Sequence, residues 1–160
     1  MKEKRVQMKG CFKKNLLIVM GLLMFYCSAG VVQAGNTRFQ EVEGSNGSIV
    51  RDNNTRLEWQ RCPHGQSWTG SGCSGTAWEG PWDYAMRITA SAGFRVPTID
   101  ELKTLAPYDQ NIFPGVYGFW SSSPYAYDSD YAWYLSFSYR HVYGNYKSYA
   151  YRVRLVRGGQ

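Results

Sequence analysis

The stretch Tyr131-Ala132-Trp133-Tyr134-Leu135-Ser136-Phe137-Ser138 decides how the chain is read. Trp133, Leu135 and Phe137 alternate with Tyr134, Ser136 and Ser138. This period of two marks a strand with one buried face. The strand lies inside a longer segment, Tyr125 to Tyr151, that reads YAYDSDYAWYLSFSYRHVYGNYKSYAY. Tyrosine takes 9 of its 27 positions, whereas residues 35–124 hold only three. With Ser129, Ser136, Ser138, Ser148, Gly144 and Asn145, the Tyr, Ser, Gly and Asn count reaches 15 of 27. Tyrosine gives stiff amphipathic contact area at low entropic cost, and Ser, Gly and Asn adapt their hydrogen bonds, as in antibody paratopes. The same composition suits a core poorly, since each buried phenol needs a partner for its hydroxyl. The expected partition is a scaffold of Trp, Leu, Phe and Val on one face and contact groups on the other.

The elements upstream are short. Phe39–Glu43 reads as a strand, Gly44–Gly47 as a turn, and Ser48–Asp52 as a second strand. Asp52-Asn53-Asn54-Thr55 forms a tight turn. Arg56–Gln60 follows as a strand with Leu57 and Trp59 on one face. Gly65–Gly80 is rich in Gly and Ser and reads as a long loop pinned by Trp68 and Trp78. A first helix is expected from Pro81 to about Ala92, with Trp82, Ala85, Met86 and Thr89 at helical spacing and Gly93 as its stop. Thr98 and Glu101 form a capping box for a second helix, whose stripe is Ile99, Leu102 and Leu105. Near the end, Val153 and Leu155 are expected to face inward and Arg152 and Arg154 outward. The class is α+β, with two short helices and a mainly antiparallel sheet.

Residues 1–34 read as a secretory signal peptide. Lys2, Lys4, Arg5, Lys9, Lys13 and Lys14 precede the apolar run Leu16–Tyr26, and Val32-Gln33-Ala34 is a small-residue cleavage site. A retained anchor over Leu16–Val32 is the alternative reading. Cys11 and Cys27 leave with the leader. The full chain carries 18 basic and 12 acidic residues, and removal of the leader leaves 12 against 11. The high pI therefore belongs to the leader and gives no support to nucleic-acid binding. The remaining 126 residues make one domain of ordinary size. Cys62 and Cys73, in an exported chain, are expected to form one disulfide.

Leu57-Glu58-Trp59-Gln60-Arg61-Cys62-Pro63, Phe94-Arg95-Val96-Pro97-Thr98, Glu101-Leu102, Phe113-Pro114, Phe119-Trp120-Ser121-Ser122-Ser123 and Val153-Arg154-Leu155-Val156-Arg157-Gly158-Gly159 resemble the Lcl C-terminal domain family, DUF1566. The motifs occur in family order and cover nearly all of residues 39–160. The resemblance implies a C-type lectin-like fold. The family's first hairpin usually carries Gly where this chain has Arg56, so Asn54 is expected to supply the left-handed residue. Phe94 stands where Trp is common. The tail from Trp120 also resembles the variable region of a target protein of a diversity-generating retroelement. Randomising adenines in Asn codons yields residues such as Tyr, Ser, His, Asp, Gly and Phe. The positions expected to point outward and carry ligand contacts are Tyr131, Tyr134, Ser136, Ser138, Tyr139, His141, Tyr143, Asn145, Tyr146, Ser148, Tyr149 and Tyr151.

Catalysis has little support in the residues. Only His64 and His141 are present. His64 sits beside the expected disulfide, and no G-x-S-x-G nucleophile elbow occurs. Asp128-Ser129-Asp130 falls short of the ligand count a hard cation demands, so neither metal nor cofactor is expected. The first expectation is an exported, non-enzymatic protein, periplasmic, surface-bound or secreted, that recognises an extracellular protein or glycan without a membrane span after cleavage. Replacing Tyr134, Tyr143 and Tyr146 by Ala is expected to remove ligand capture and leave the melt nearly unchanged. The alternative is a fixed envelope adhesin or structural domain. It would self-associate or bind sulfated polysaccharide through Arg140, Lys147, Arg152 and Arg154, within a basic cluster that also includes Arg157.

Overall fold

Two hydrophobic clusters, one on each side of a central sheet, organise the chain. The computed structural model describes residues 38–158. The leader, its cleavage site, the possible anchor, Cys11 and Cys27 lie outside the described residues. In chain order the elements are β1 (Phe39–Glu41), β2 (Ile49–Asp52), β3 (Leu57–Gln60), β4 (Ser67–Trp68), β5 (Cys73–Ser74), β6 (Glu79–Gly80), α1 (Trp82–Ala85), α2 (Ile99–Thr104), β7 (Gly118–Pro124), β8 (Tyr131–Ser136), β9 (His141–Tyr146), β10 (Tyr151–Arg152) and β11 (Val156–Gly158). One sheet has the order β1-β2-β3-β11 and another the order β6-β10-β7-β8-β9, while β4 and β5 form a small hairpin. All strand pairs are antiparallel except β10 with β7. The fold is thus mostly sheet with few short helices.

The first sheet forms because β2 and β3 are joined by a turn that satisfies its own polar groups. Asp52 is fully buried; its carboxylate accepts the Asn54 amide at 3.0 Å and pairs with Arg38 at 2.7 Å. Trp59 lies between Val50 and Val156 in the ladder, and all three are inaccessible to solvent. The left-handed residue of this hairpin is Arg56, at φ 64°, and not Asn54. The wide turn places the left-handed step directly before β3, where Arg56 projects into solvent and its amide bonds to the Asp52 carbonyl at 2.7 Å.

The loop from 65 to 80 contains β4, β5 and β6, so it is more ordered than its composition implies. The Cys62–Cys73 disulfide ties its base, with Cα atoms 5.6 Å apart. Trp68 stacks under the Arg61 guanidinium at 4.4 Å, and Trp78 packs against the second hydrophobic cluster. The first helix is much shorter than Pro81–Ala92. It spans only Trp82–Ala85, and the next amides bond three residues back, Arg87 to Tyr84 and Ile88 to Ala85. Ile88, Thr89 and Ser91 are weaker helix formers than Ala or Leu, and Ala92 and Gly93 both adopt positive φ. The second helix matches its capping box. Thr98 accepts from the Glu101 amide and the Glu101 carboxylate accepts from the Thr98 amide. Ile99, Leu102 and Leu105 are all buried.

The second sheet is covered on both faces. On β7, Phe119 enters the first cluster and Trp120 the second. On β8, Leu135 belongs to the first cluster, and Ala132 belongs to the second, with Tyr134 packed against it. The expected division into an apolar face and a solvent face therefore fails for β8. A period of two reports which residues share a face, not whether the opposite face is also covered.

The segment between β10 and β11 carries the largest departure. Val153, Arg154, Leu155 and Val156 are all fully buried. The chain leaves one sheet and enters the other here, so strand alternation lapses. Arg154, expected to face outward, lies among the rings of Phe119, Phe113 and Phe137 at 4.9, 5.1 and 5.7 Å. It donates to the carbonyls of Gln60 at 3.1 Å, Pro114 at 3.2 Å and Arg61. Burial lowers its pKa, to about 9, which leaves it charged at pH 7. The guanidinium joins three loops from within.

Candidate functional site

The tyrosine-rich segment folds into β8, β9 and the turns around them. β9 is the edge strand of its sheet. Its register with β8 runs without interruption from Tyr131↔Tyr146 to Ser136↔His141. Side chains therefore alternate strictly between two faces. Tyr131 and Tyr146 share a face with Trp133, while Tyr134, Tyr143, Asn145 and His141 share the other.

Two aromatic arrays result. On the first face, Tyr131 and Tyr146 pack at 4.2 Å between ring centroids. Tyr125 rests on Trp133 at 4.6 Å and approaches Tyr131 at 6.0 Å and Tyr127 at 5.7 Å. Tyr149 joins Tyr146 at 6.2 Å. On the second face, Tyr134 stacks on Tyr151 at 4.1 Å with a 13° interplanar angle, and Tyr151 meets the buried Trp120 edge-on at 4.8 Å. Tyr143 stacks on Tyr134 at 5.7 Å, and His141 lies 5.1 Å from Tyr143. Asn145 donates to the Tyr151 hydroxyl at 2.7 Å.

Two glycines make these arrays possible. A Cβ on Gly118 would fall 2.5 Å from Cδ1 of Tyr151, so glycine there lets Tyr151 lie across β7. A Cβ on Gly144 would fall 2.8 Å from Cδ2 of Tyr125. Glycine inside a strand often marks such a close approach.

The expected contact residues divide by exposure. Tyr139, Tyr149, Tyr146 and Tyr143 are 78%, 53%, 47% and 40% accessible, and Tyr127 reaches 88%. Ser138, His141 and Ser148 are also exposed. Tyr131, Tyr134, Asn145 and Tyr151 are half-buried, and Ser136 is buried, which corrects the expectation that all twelve point outward. Two of the serines have work in the β8–β9 turn. Ser136 accepts from the Tyr139 amide at 3.3 Å, and the Ser138 hydroxyl donates to the Val116 carbonyl.

Tyr125, Tyr127, Asp128 and Trp133 were not among the expected contact residues, yet they border the first array. The sequence signal was Gly144, which faces Trp133 across the ladder. Tyr125, Asp128, Tyr131 and Gly144 enclose a cleft of about 270 Å³. A neighbouring cleft of about 340 Å³ is lined by Asp83, Ser129, Asp130, Tyr146, Lys147 and Ser148. A separate polar cleft of about 500 Å³ lies away from the tyrosines, between Ser45, Gln60, Trp68 and Arg157.

One phenol on each face, Tyr131 and Tyr134, is held neutral. A hydrogen bond with Tyr146 raises the Tyr131 pKa to about 12. Burial, then a hydrogen bond with Tyr151, raises that of Tyr134. Contacts made by these hydroxyls therefore do not change with pH in the neutral range.

The basic residues are scattered and mostly engaged. Lys147 lies over the Trp82 ring at 4.5 Å. Arg152 pairs with Glu79 at 3.2 Å and covers Tyr117 at 3.2 Å. Arg157 pairs with Glu58 at 2.7 Å. Arg154 is buried, and Arg140 stands exposed in the β8–β9 turn at φ 53°. Arg154 can make no surface contact, which removes one of the four cations of the polysaccharide alternative.

His64 is partly buried beside the disulfide, and burial lowers its pKa. Among the described residues, no group of three or more His, Cys, Asp and Glu side chains could hold a metal ion. Asp128 turns one carboxylate oxygen inward to accept the Asp130 amide at 2.9 Å. Among the described residues, no helix is long and apolar enough to cross a membrane.

The family model of the Lcl C-terminal domain matches residues 48–157, which span β2 to β11 and both aromatic arrays. A comparison with curated proteins returns no match.

Proposed function

The chain belongs to the Lcl C-terminal domain family, and from that premise we propose that it is an exported, non-catalytic ligand-binding module of C-type lectin-like fold. It recognises a protein or glycan through the aromatic edge built by β8, β9 and their turns. The carrying observation is the exposure of Tyr127, Tyr139, Tyr143, Tyr146 and Tyr149, between 40% and 88%, on the edge strand β9 and in the turns that flank β8 and β9. Tyr127, Tyr146 and Tyr149 are linked ring to ring through Tyr125 and Tyr131 at one end of the hairpin, and contiguous exposed apolar groupings mark interaction sites. Aromatic anchors at the centre of such surfaces often contribute ~2 kcal/mol or more each. The scaffold is rigid: β7 is buried on both faces, and Trp120 is hydrogen-bonded to the Gly80 carbonyl at 2.9 Å.

Diversification by a retroelement belongs to the same proposal. Tyr139, His141, Tyr143, Tyr146, Ser148 and Tyr149 are exposed, so changes there disturb no core packing. Finding a neighbouring reverse-transcriptase gene with an imperfect repeat of the gene's 3′ end supports it. A 3′ end without such a repeat makes this a fixed receptor.

Salt separates aromatic recognition from the polysaccharide reading. The domain is probed against a panel of envelope glycans and extracellular proteins at rising ionic strength. Binding through tyrosines persists into molar salt, because screening acts on charge pairs. Binding that collapses between low and physiological salt returns the assignment to Arg140, Lys147 and Arg152.

A further inference from the structure

We propose that the cleft between Tyr125, Tyr131 and Asp128 binds a methylated ammonium group, an assignment that rests on the reading of this edge as a ligand-binding surface. The walls are the rings of Tyr125 and Tyr131, whose centroids lie 6.0 Å apart. Tyr127 and Trp133 extend this wall from Tyr125, at 5.7 and 4.6 Å. Gly144 lies at the floor, and with no side chain there the Tyr125 ring settles close against the strand and fixes one wall. The cleft opens at the exposed side chains of Tyr127 and Asp128.

Its charge has one sign. Asp128 forms no ion pair among the described residues, and no Lys or Arg lines the cleft. The nearby Lys147 is held over Trp82 instead. After the hydrogen bond with Tyr146, the Asp128 charge is among the influences that raise the Tyr131 pKa, as its place at the same cleft implies. Aromatic faces attract a cation within about 6 Å of their centroids, and a neighbouring carboxylate adds to that attraction.

Size and hydration choose among cations. At about 270 Å³ the cleft is at the lower limit of small-molecule sites, so it holds a head group and not an extended chain. A primary ammonium is compact, strongly hydrated and needs acceptors for three protons. Asp128 already spends one carboxylate lone pair on the Asp130 amide. A quaternary ammonium has no N–H donors and sheds water more readily, which suits ring walls with one carboxylate at the rim.

Choline chloride is the probe, and 3,3-dimethylbutan-1-ol, of the same shape without charge, is its control. Both are titrated into the domain while backbone amides are followed by NMR. The expected result is saturable choline shifts at Tyr125, Asp128, Tyr131 and Gly144, with the alcohol weaker by about tenfold. Asp128→Asn is expected to weaken choline by threefold or more, and Tyr125→Leu to abolish the shifts while the amide spectrum remains that of a folded domain. Vesicles of phosphatidylcholine form a second arm: retention on them assigns a lipid head group, and binding of choline alone assigns a free ligand. Equal binding of the alcohol, or choline binding indifferent to Asp128→Asn, overturns the assignment, as does absence of saturable choline shifts. If choline fails while Tyr146→Ala still loses a ligand from the glycan and protein panel, only the ammonium assignment falls. If Tyr146→Ala also has no effect on that panel, the broader recognition reading falls with it.

Discussion

Tyr134→Ala separates the tyrosines that hold the sheet from those free to meet a ligand. Tyr134 is half-buried, stacked on Tyr151 at 4.1 Å and set edge-on to Trp120 at 6.1 Å. Truncating a fully buried aromatic costs about 3–5 kcal/mol. Tyr134 keeps part of its surface in water, so roughly half of that cost applies, with a further 0.5–1.5 kcal/mol for the stacked pair. The sum is about 2–4 kcal/mol, which for a domain of this size lowers Tm by roughly 6–16 °C. Tyr139→Ala is the control. At 78% exposure it should change stability by no more than about 0.5 kcal/mol. Both variants are followed in urea and by heat, with tryptophan fluorescence as the probe. A Tyr134→Ala melt within 2 °C of the parent, measured against an equally unchanged Tyr139→Ala by the thresholds just given, would refute the placement of Tyr134 in the second hydrophobic cluster. The sequence reading, in which Tyr134, Tyr143 and Tyr146 could be removed together without loss of stability, would then be restored.

Other outcomes follow from particular contacts. Burial alone would raise the pKa of Asp52, Glu58 and Glu101, but hydrogen bonds and ion pairs with Arg38, with Arg51 and Arg157, and with Arg95 outweigh it and lower all three. A depressed carboxylate stabilises the fold above its unfolded pKa, so urea midpoints should hold at neutral pH and fall as pH drops through 4.5 and 3.8 and below. Acid-independent midpoints down to about pH 3 would contradict those ion pairs. Replacing Cys62 and Cys73 together by Ala opens a loop of sequence separation 11 and should cost about 2–3 kcal/mol in denaturant titrations. Arg56→Gly relieves a left-handed conformation at an exposed position and should raise stability by about 0.5–1 kcal/mol, with a lower Tm as the contrary result.

Local signals were legible and long-range ones were not. The Thr98–Glu101 capping box is complete within four residues, so sequence alone located α2. Leu135 and Phe137 were assigned inward because alternation marks a shared face. Alternation could not reveal that Ala132 and Tyr134 meet a second cluster, which Trp120, Val153 and Leu155 bring from elsewhere. The same periodicity also separates Tyr131 from Tyr134: they differ by an odd number, so an uninterrupted strand sends them to opposite faces. Arg154 was hidden for a different reason. It lies where the chain passes between two sheets, and its partners Gln60, Arg61 and Pro114 are 40 or more positions away. The Gly144–Tyr125 approach was signalled by a glycine within a strand, but its partner depends on the turn through Asp128.

Recognition through the tyrosines is tested most directly by the affinity of the triple variant Tyr143→Ala, Tyr146→Ala, Tyr149→Ala for whichever panel ligand the parent domain holds. These side chains are 40–53% accessible and anchor nothing in either cluster. The expected result is a dissociation constant raised by at least about a hundredfold, two anchors' worth at ~1.4 kcal/mol each, with an unaltered melt. An undiminished affinity in the folded triple variant would contradict it.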